Sequence, residues 1–349
     1  MKMKEQHKNQ KTAYLELLRI IACFFVIVNH TNSGVFLSQT PDHKVWWISL
    51  TYFFMCKTAV PVFLMITGCL MLGKIDNYRK YITRIIRMVL VIVLFSFIYY
   101  VKSMQDAGRP IEIIEYFKLI YQRHVTNAYW YLYLYLGILL MMPFFQILST
   151  NMKRREYQIL MLISVVAMGG LPVLIHYRPG FSLSYMFTEP FPSVYVGMLF
   201  VGYYLTNYVE VKKKYAIISA VLFIGLVAAE VVLTFHEYNV RPESLLFLEE
   251  RTNLNITLSA AALFYLARYF GSVFHKELFW KVIVFVGSCS FGIYLFSDLF
   301  VNLYEQFYNN ISVTMNSMIA VLIYECMVFF SGLVLTVILK KIPYLKKLV

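Results

Sequence analysis

Ten apolar runs dominate the chain, at about residues 14–36, 46–73, 82–101, 129–148, 158–177, 189–207, 215–235, 253–270, 280–304 and 314–339. Each is close to the twenty residues that carry a helix across a bilayer. Inside hydrocarbon the backbone N–H and C=O groups find no water, so such runs have to satisfy them internally, as helices. The spacing therefore predicts an all-α fold, a polytopic transmembrane bundle of about ten helices. Composition agrees: 60% of the 349 residues are hydrophobic and only 15% are charged, with a mean hydropathy of +0.63. A soluble domain has an apolar share of about half.

Lysine and arginine outnumber the acids 32 to 19, a formal charge of +13. These residues sit in short clusters between apolar runs and not along one polar face, which argues against a nucleic-acid partner and for membrane topology signals. With the N-terminus in the cytoplasm, the lysines at 2, 4, 8 and 11 and the clusters Lys74 to Arg87, Lys153 to Arg155, Lys212 to Lys214, Arg268 to Lys281 and Lys340 to Lys347 all fall inside. The outer loops then hold only Lys44, Lys102, Arg109, Lys118, Arg123, Arg178, Arg241 and Arg251. Both termini are expected to be cytoplasmic, with residues 1–12 as a short tail. No small-residue cleavage site follows the first run, so it reads as a retained helix.

The whole chain, 1–349, reads as one transmembrane domain. In the longest outer connection, around 111–122, Ile113, Ile114, Phe117, Ile120 and Tyr121 form a helical stripe, predicting a short helix on the outer membrane surface. After the tenth run little chain remains, so no appended soluble catalytic domain is expected. The five cysteines fall inside apolar runs without pairing or metal-ligand spacing and read as packing residues, so no metal is expected. There is no Gly-rich phosphate loop, and any chemistry has to be done inside the bundle.

An ionisable side chain at membrane depth costs about 2.5–3.5 kcal/mol on insertion scales, which makes each one a functional candidate. His30, Lys57, Glu230, Asp298 and Glu325 all fall toward the outer side, where Glu189 opens the sixth run. Arg19 and His30 share the first helix, so their spacing puts them on one face, about 20° apart around the axis and about 16 Å apart along it. Lys57 is expected to pair with Glu325 or Asp298. Asn29 can orient the His30 ring or bond an adjacent helix. On the inner side Arg84 and Arg87, three apart, share a face at the start of the third helix. With Arg19 they offer guanidinium groups to a cytosolic ligand carrying phosphates.

These residues resemble the acyltransferase 3 family of membrane O-acyltransferases. LRIIACFFVIVNH, with Arg19 and His30 in an R-x10-H arrangement, is similar to that family's signature. PVFLMITGCLML (61–72) is similar to its P-x-F-F-x-x-S-G-F-L segment, TRIIR (83–87) to its R-x-x-R, AYWYLYLYLGILLMMP (128–143) to its H-L-W-F-L region and CSFGIYLFSDLF (289–300) to its S-x-G-I-Y-L-x-H. The resemblance runs over nearly the whole chain. Thr67 and Gly68 stand where the family often has Ser-Gly, which keeps the hydroxyl. Ala128 and Ser297 stand where it often has histidines, so neither position is a catalytic candidate.

The resemblance implies transfer of an acyl group, commonly acetyl, from cytosolic acyl-coenzyme A to a hydroxyl on an extracytoplasmic cell-envelope glycan or its precursor, by a multi-pass protein of a bacterial plasma membrane. Arg19, Arg84 and Arg87 would hold the coenzyme's phosphates. Lys57, Trp130 and Tyr294 would contact substrate. A sugar hydroxyl is a poor nucleophile, and an imidazole in an apolar site supplies the base that transfer needs. His30 would deprotonate the acceptor or first accept the acyl group and relay it, with Glu325 or Asp298 orienting the ring. The alternative is a secondary transporter or flippase for a glycan or small organic solute, using Lys57, Glu230, Asp298 and Glu325 as its pathway.

Overall fold

The computed structural model describes residues 2–31, 33–178, 180–250 and 252–349. Arg251 lies outside the described residues, as do the side chains of the lysines at 2, 4, 8 and 11. Among the described residues the chain is helical, without strands. Its helices are α1 (Lys2–Thr31), α2 (Ser33–Leu37), α3 (Lys44–Cys56), α4 (Ala59–Met71), α5 (Tyr78–Asp106), α6 (Ile113–Gln122), α7 (Trp130–Asn151), α8 (Arg154–Met161), α9 (Met168–Tyr177), α10 (Tyr185–Thr188), α11 (Val194–Asn207), α12 (Lys213–Val240), α13 (Leu254–Val273), α14 (Glu277–Gly287), α15 (Ser290–Thr314) and α16 (Ser317–Leu339). A π-helical turn, Leu162–Ala167, joins α8 to α9. Residues 2–12, expected as a tail, continue α1 as helix.

Among the described residues eight stretches are long and apolar enough to cross a membrane, nine if α14 and α15, bent by 57°, count as one crossing. The run at 189–207 falls short of that length. Pro190 and Pro192 hold the residues before them out of helix, and the Ser193 hydroxyl accepts from the Val196 N–H, so α11 starts late and has 14 residues. It is nonetheless a core element, with Leu199 and Phe200 fully buried.

Contacts fix the direction of α11. Gly202 lies against Met65, and four residues further along each helix Thr206 bonds Cys69, so α11 runs parallel to α4. It runs antiparallel to α8 and α9, since Gln158 meets Tyr204 while Ser164 meets Gly197. Both directions are those expected of the run at 189–207. The glycines make the α4–α11 approach possible: a Cβ on Gly68 would sit 1.8 Å from the Leu199 carbonyl oxygen, and one on Gly202 2.0 Å from that of Met65.

Side-chain caps set the helix starts: Asn77 accepts from the Arg79 N–H before α5, Asn253 from that of Asn255 before α13 and Asn316 from that of Met318 before α16. The amphipathic segment forms the helix α6. Ile113, Ile114, Phe117 and Tyr121 are exposed, and buried Tyr116 pins the helix by donating to the Val93 carbonyl. One large core runs along α1, α4, α7, α11, α15 and α16. The chain's last residue, Val349, is buried in it.

Candidate functional site

Three interruptions of helical geometry open the bundle. The first is Lys57–Thr58 between α3 and α4, the second Ser288–Cys289 between α14 and α15, and the third the 3-10 turn Asn127–Tyr129 before α7. Non-helical backbone at membrane depth is tolerated where it lines a cavity, and all three breaks contribute residues to one. The cavity has a volume of about 890 Å³.

The cavity is elongated, and its two ends differ in chemistry. At one end stand Arg19, Arg84 and Arg87, with Tyr135, Gly287, Ser288 and Phe291. At the other are His30, Asn29, Lys57, Glu249, His124, Asn127 and Trp130. Between them Val60, Phe63, Ile66, Thr67, Tyr131 and Tyr294 form the wall. The face of α1 that carries Arg19 and His30 thus runs the length of the cavity, about 16 Å between the two.

At the arginine end, Arg19 pairs with Glu16 one turn earlier. Arg84 pairs with Asp76, in the loop before α5. Gln146 of α7 ties that loop down, its Nε2 donating to Asp76 Oδ2 at 2.9 Å and to the Met71 carbonyl at 2.9 Å. Burial works to raise the Asp76 pKa, but hydrogen bonds from Arg84 and Gln146 outweigh it and hold the carboxyl below its ordinary value. Arg87 reaches the Leu348 carbonyl at 3.4 Å and lies 5.7 Å from the Phe291 ring centroid. Among the described residues no carboxylate lies within 4 Å of it. Three guanidiniums against two carboxylates leave this end positive.

At the other end Lys57 forms an ion pair with Glu249 at 2.9 Å, not with Glu325 or Asp298 as expected. Glu249 sits on a 3-10 turn, Phe247–Glu249, in the α12–α13 connection. That connection folds over the cavity and brings Leu246 with it. A pairing across 192 residues from a polar loop leaves no local sequence signal. Lys57 also lies over the Phe53 ring, 4.2 Å from its centroid. Asn29 takes the bridging role foreseen for it: Nδ2 donates to the Cys56 carbonyl at 3.0 Å, joining α1 to the end of α3.

Seven of the nine candidate site residues line this one cavity: Arg19, His30, Lys57, Arg84, Arg87, Trp130 and Tyr294. Glu325 and Asp298 stand behind its wall. Glu325 is fully buried and accepts from Thr31 Oγ1 at 2.9 Å and Tyr52 OH at 2.8 Å, tying α16 to α1 and α3 beside His30. Asp298 accepts from Thr126 Oγ1 and from the Ala128 N–H at 3.0 Å, so it caps the turn that opens α7. Glu230 is buried on α12 away from the cavity.

Sequence reasoning missed His124, Asn127, Tyr131, Tyr135 and Glu249. In WYLYLYLG the tyrosines alternate, yet on a helix Tyr131 and Tyr135 share a face and stack at 6.1 Å, while Tyr133 turns away to bond the Ile120 carbonyl. That periodicity was a usable signal. Among the described residues no group of three or more His, Cys, Asp or Glu is placed to hold a metal ion.

The fold and this interior cavity define a multi-pass membrane protein with ionisable side chains lining a space inside the bundle. A family model for an acyltransferase domain, acyltransferase 3, matches residues 12–341. The chain belongs to that family and is a membrane acyltransferase. No curated protein and no solved structure matches it.

Proposed function

We propose that the protein transfers a short acyl group, acetyl foremost, from acyl-coenzyme A in the cytosol to a hydroxyl of an extracytoplasmic cell-envelope glycan or its precursor, in a bacterial plasma membrane. The observation that carries this reading is the single cavity with three arginines at one end and His30 at the other. Guanidinium forks match the phosphates of a coenzyme in bidentate fashion. A pantetheine arm threaded along the aromatic wall brings the thioester toward His30. Because donor and acceptor ends meet in one space, direct transfer suffices.

In that step the acceptor oxygen attacks the thioester carbonyl carbon while its proton passes to the His30 imidazole. The C–S bond then breaks, and the proton is returned to the departing thiolate. Glu325 and Asp298 act through what they hold: Glu325 secures Thr31, next to His30, and Asp298 the turn before Trp130. The test is release of coenzyme A thiol by the purified protein given acetyl-coenzyme A and envelope polysaccharide stripped of its esters by mild alkali. Thiol release dependent on the polysaccharide is expected. Uptake or translocation of solute without thiol release would instead establish the transporter reading. Arg19→Ala should weaken acetyl-coenzyme A binding in detergent, and unchanged affinity would reduce Arg19 to a topological signal.

A further inference from the structure

Of the histidines whose side chains are described, two line the cavity, His30 and His124. His30 occupies the last turn of α1. His124 lies in the short connection between α6 and the 3-10 turn before α7. It belongs to the His30 end: α7 runs parallel to α4, with Phe63 against Tyr131 near their starts and Met71 against Gln146 further on. The start of α4 is the Lys57 end.

The connection is held at both sides of His124. Before it, the Arg123 N–H donates to the Leu119 carbonyl at 2.9 Å, and Tyr133 OH to that of Ile120 at 2.7 Å. After it, Thr126 and Ala128 both donate to Asp298, and Tyr294 OH donates to the Ala128 carbonyl. Asp298 is itself buried. The His124 side chain is exposed, and among the described residues no side chain hydrogen-bonds to it. A fixed backbone thus presents a free imidazole to the cavity, which Asn127 and Trp130 also line.

Resting on the acyltransferase reading above, we propose that His124 contacts the acceptor, and that the segment Asp298 clamps is the acceptor subsite, built for a sugar residue. A sugar ring has a face of C–H groups and an edge of hydroxyls. Trp130 offers the apolar surface that packs on such a face. A neutral imidazole donates from one nitrogen and accepts at the other, as a pair of neighbouring hydroxyls requires, and Asn127 repeats both roles. His124 is then a specificity residue and His30 performs the proton transfer, while Asp298 is a positioning residue.

The test uses the full chain in detergent, with acetyl-coenzyme A as donor and alkali-stripped envelope polysaccharide as acceptor. His124→Ala should raise the acceptor KM about tenfold, the scale of losing hydrogen bonds to a bound ligand. kcat and the donor KM should stay within about twofold, the donor KM reporting an intact cavity. His124→Gln, which keeps a donor and an acceptor, should recover most of the loss. Asp298→Asn should raise the acceptor KM in the same direction. An active parent whose acceptor KM is unmoved by His124→Ala, or a variant that loses kcat alone, overturns the subsite. A parent that releases no thiol with this pair overturns the acyltransferase reading, and the subsite with it.

Discussion

Gly202→Ala tests the close packing of α11 on α4. The added Cβ would lie 2.0 Å from the Met65 carbonyl oxygen. Non-bonded contact begins at about 3.2–3.4 Å, so α11 has to withdraw from α4 by roughly 1 Å, and a gap of that size forfeits about a quarter to a half of each dispersion contact along the seam. Forced overpacking of this kind costs about 1–3 kcal/mol, offset by up to about 1 kcal/mol from replacing glycine in a helix. A net loss of about 1–2 kcal/mol should appear as a lower midpoint of thermal unfolding in detergent. Gly68→Ala, 1.8 Å from the Leu199 carbonyl oxygen, should act alike. The double variant should cost less than the sum, because both widen the same interface. Gly137→Ala, inside α7 with nothing within 4 Å of the new Cβ, is the control without a clash and should melt at or above the parent's midpoint. If Gly202→Ala melted with the parent, the close α4–α11 crossing would be refuted.

Other perturbations follow from named contacts. Asp76→Asn should leave Arg84 less well fixed and raise the donor KM about three- to tenfold without changing the acceptor KM, read from thiol release. The folded pKa of Asp76 lies below its ordinary value, so its ion pair contributes stability that is complete above the unfolded pKa of about 3.9 and is lost as pH falls through the folded one. Acid unfolding curves of parent and Asp76→Asn should therefore converge below about pH 4. Glu325→Ala should cost about 1–3 kcal/mol in thermal unfolding, because Tyr52 OH loses its acceptor. The Thr31 hydroxyl is spared, since it can still donate to the Ile27 carbonyl of its own helix at 3.0 Å. Glu325→Gln, which keeps an acceptor oxygen, should cost less.

Local patterns announced much of this molecule. The apolar runs located the crossings, and the amphipathic stripe located α6, because hydrocarbon thickness and helical periodicity act within a single segment. The R-x10-H spacing put Arg19 and His30 on one face for the same reason. Pairings between segments were not legible. Lys57 looked equally suited to Glu325 or Asp298, and nothing near Glu249 marked that loop as one that folds back over the cavity. Asp298 read from its depth as a candidate to orient the His30 ring, and its carboxylate bonds Thr126 and Ala128, a contact the sequence did not announce. His124 was hidden because a histidine in a polar outer loop looks solvated until the loop is seen to be clamped. The late start of α11 was written in Pro190 and Pro192, a signal that run length alone overrode.

In the proposed transfer His30 is the group that moves the proton from the acceptor hydroxyl. The most direct measurement is the turnover of His30→Ala, purified in the folded state, releasing thiol from acetyl-coenzyme A in the presence of alkali-stripped envelope polysaccharide. Acetyl-coenzyme A affinity should be retained through the three arginines, while turnover falls by about 10²–10⁴, the scale of a lost general base. Turnover at the parental rate would rule out His30 as that base.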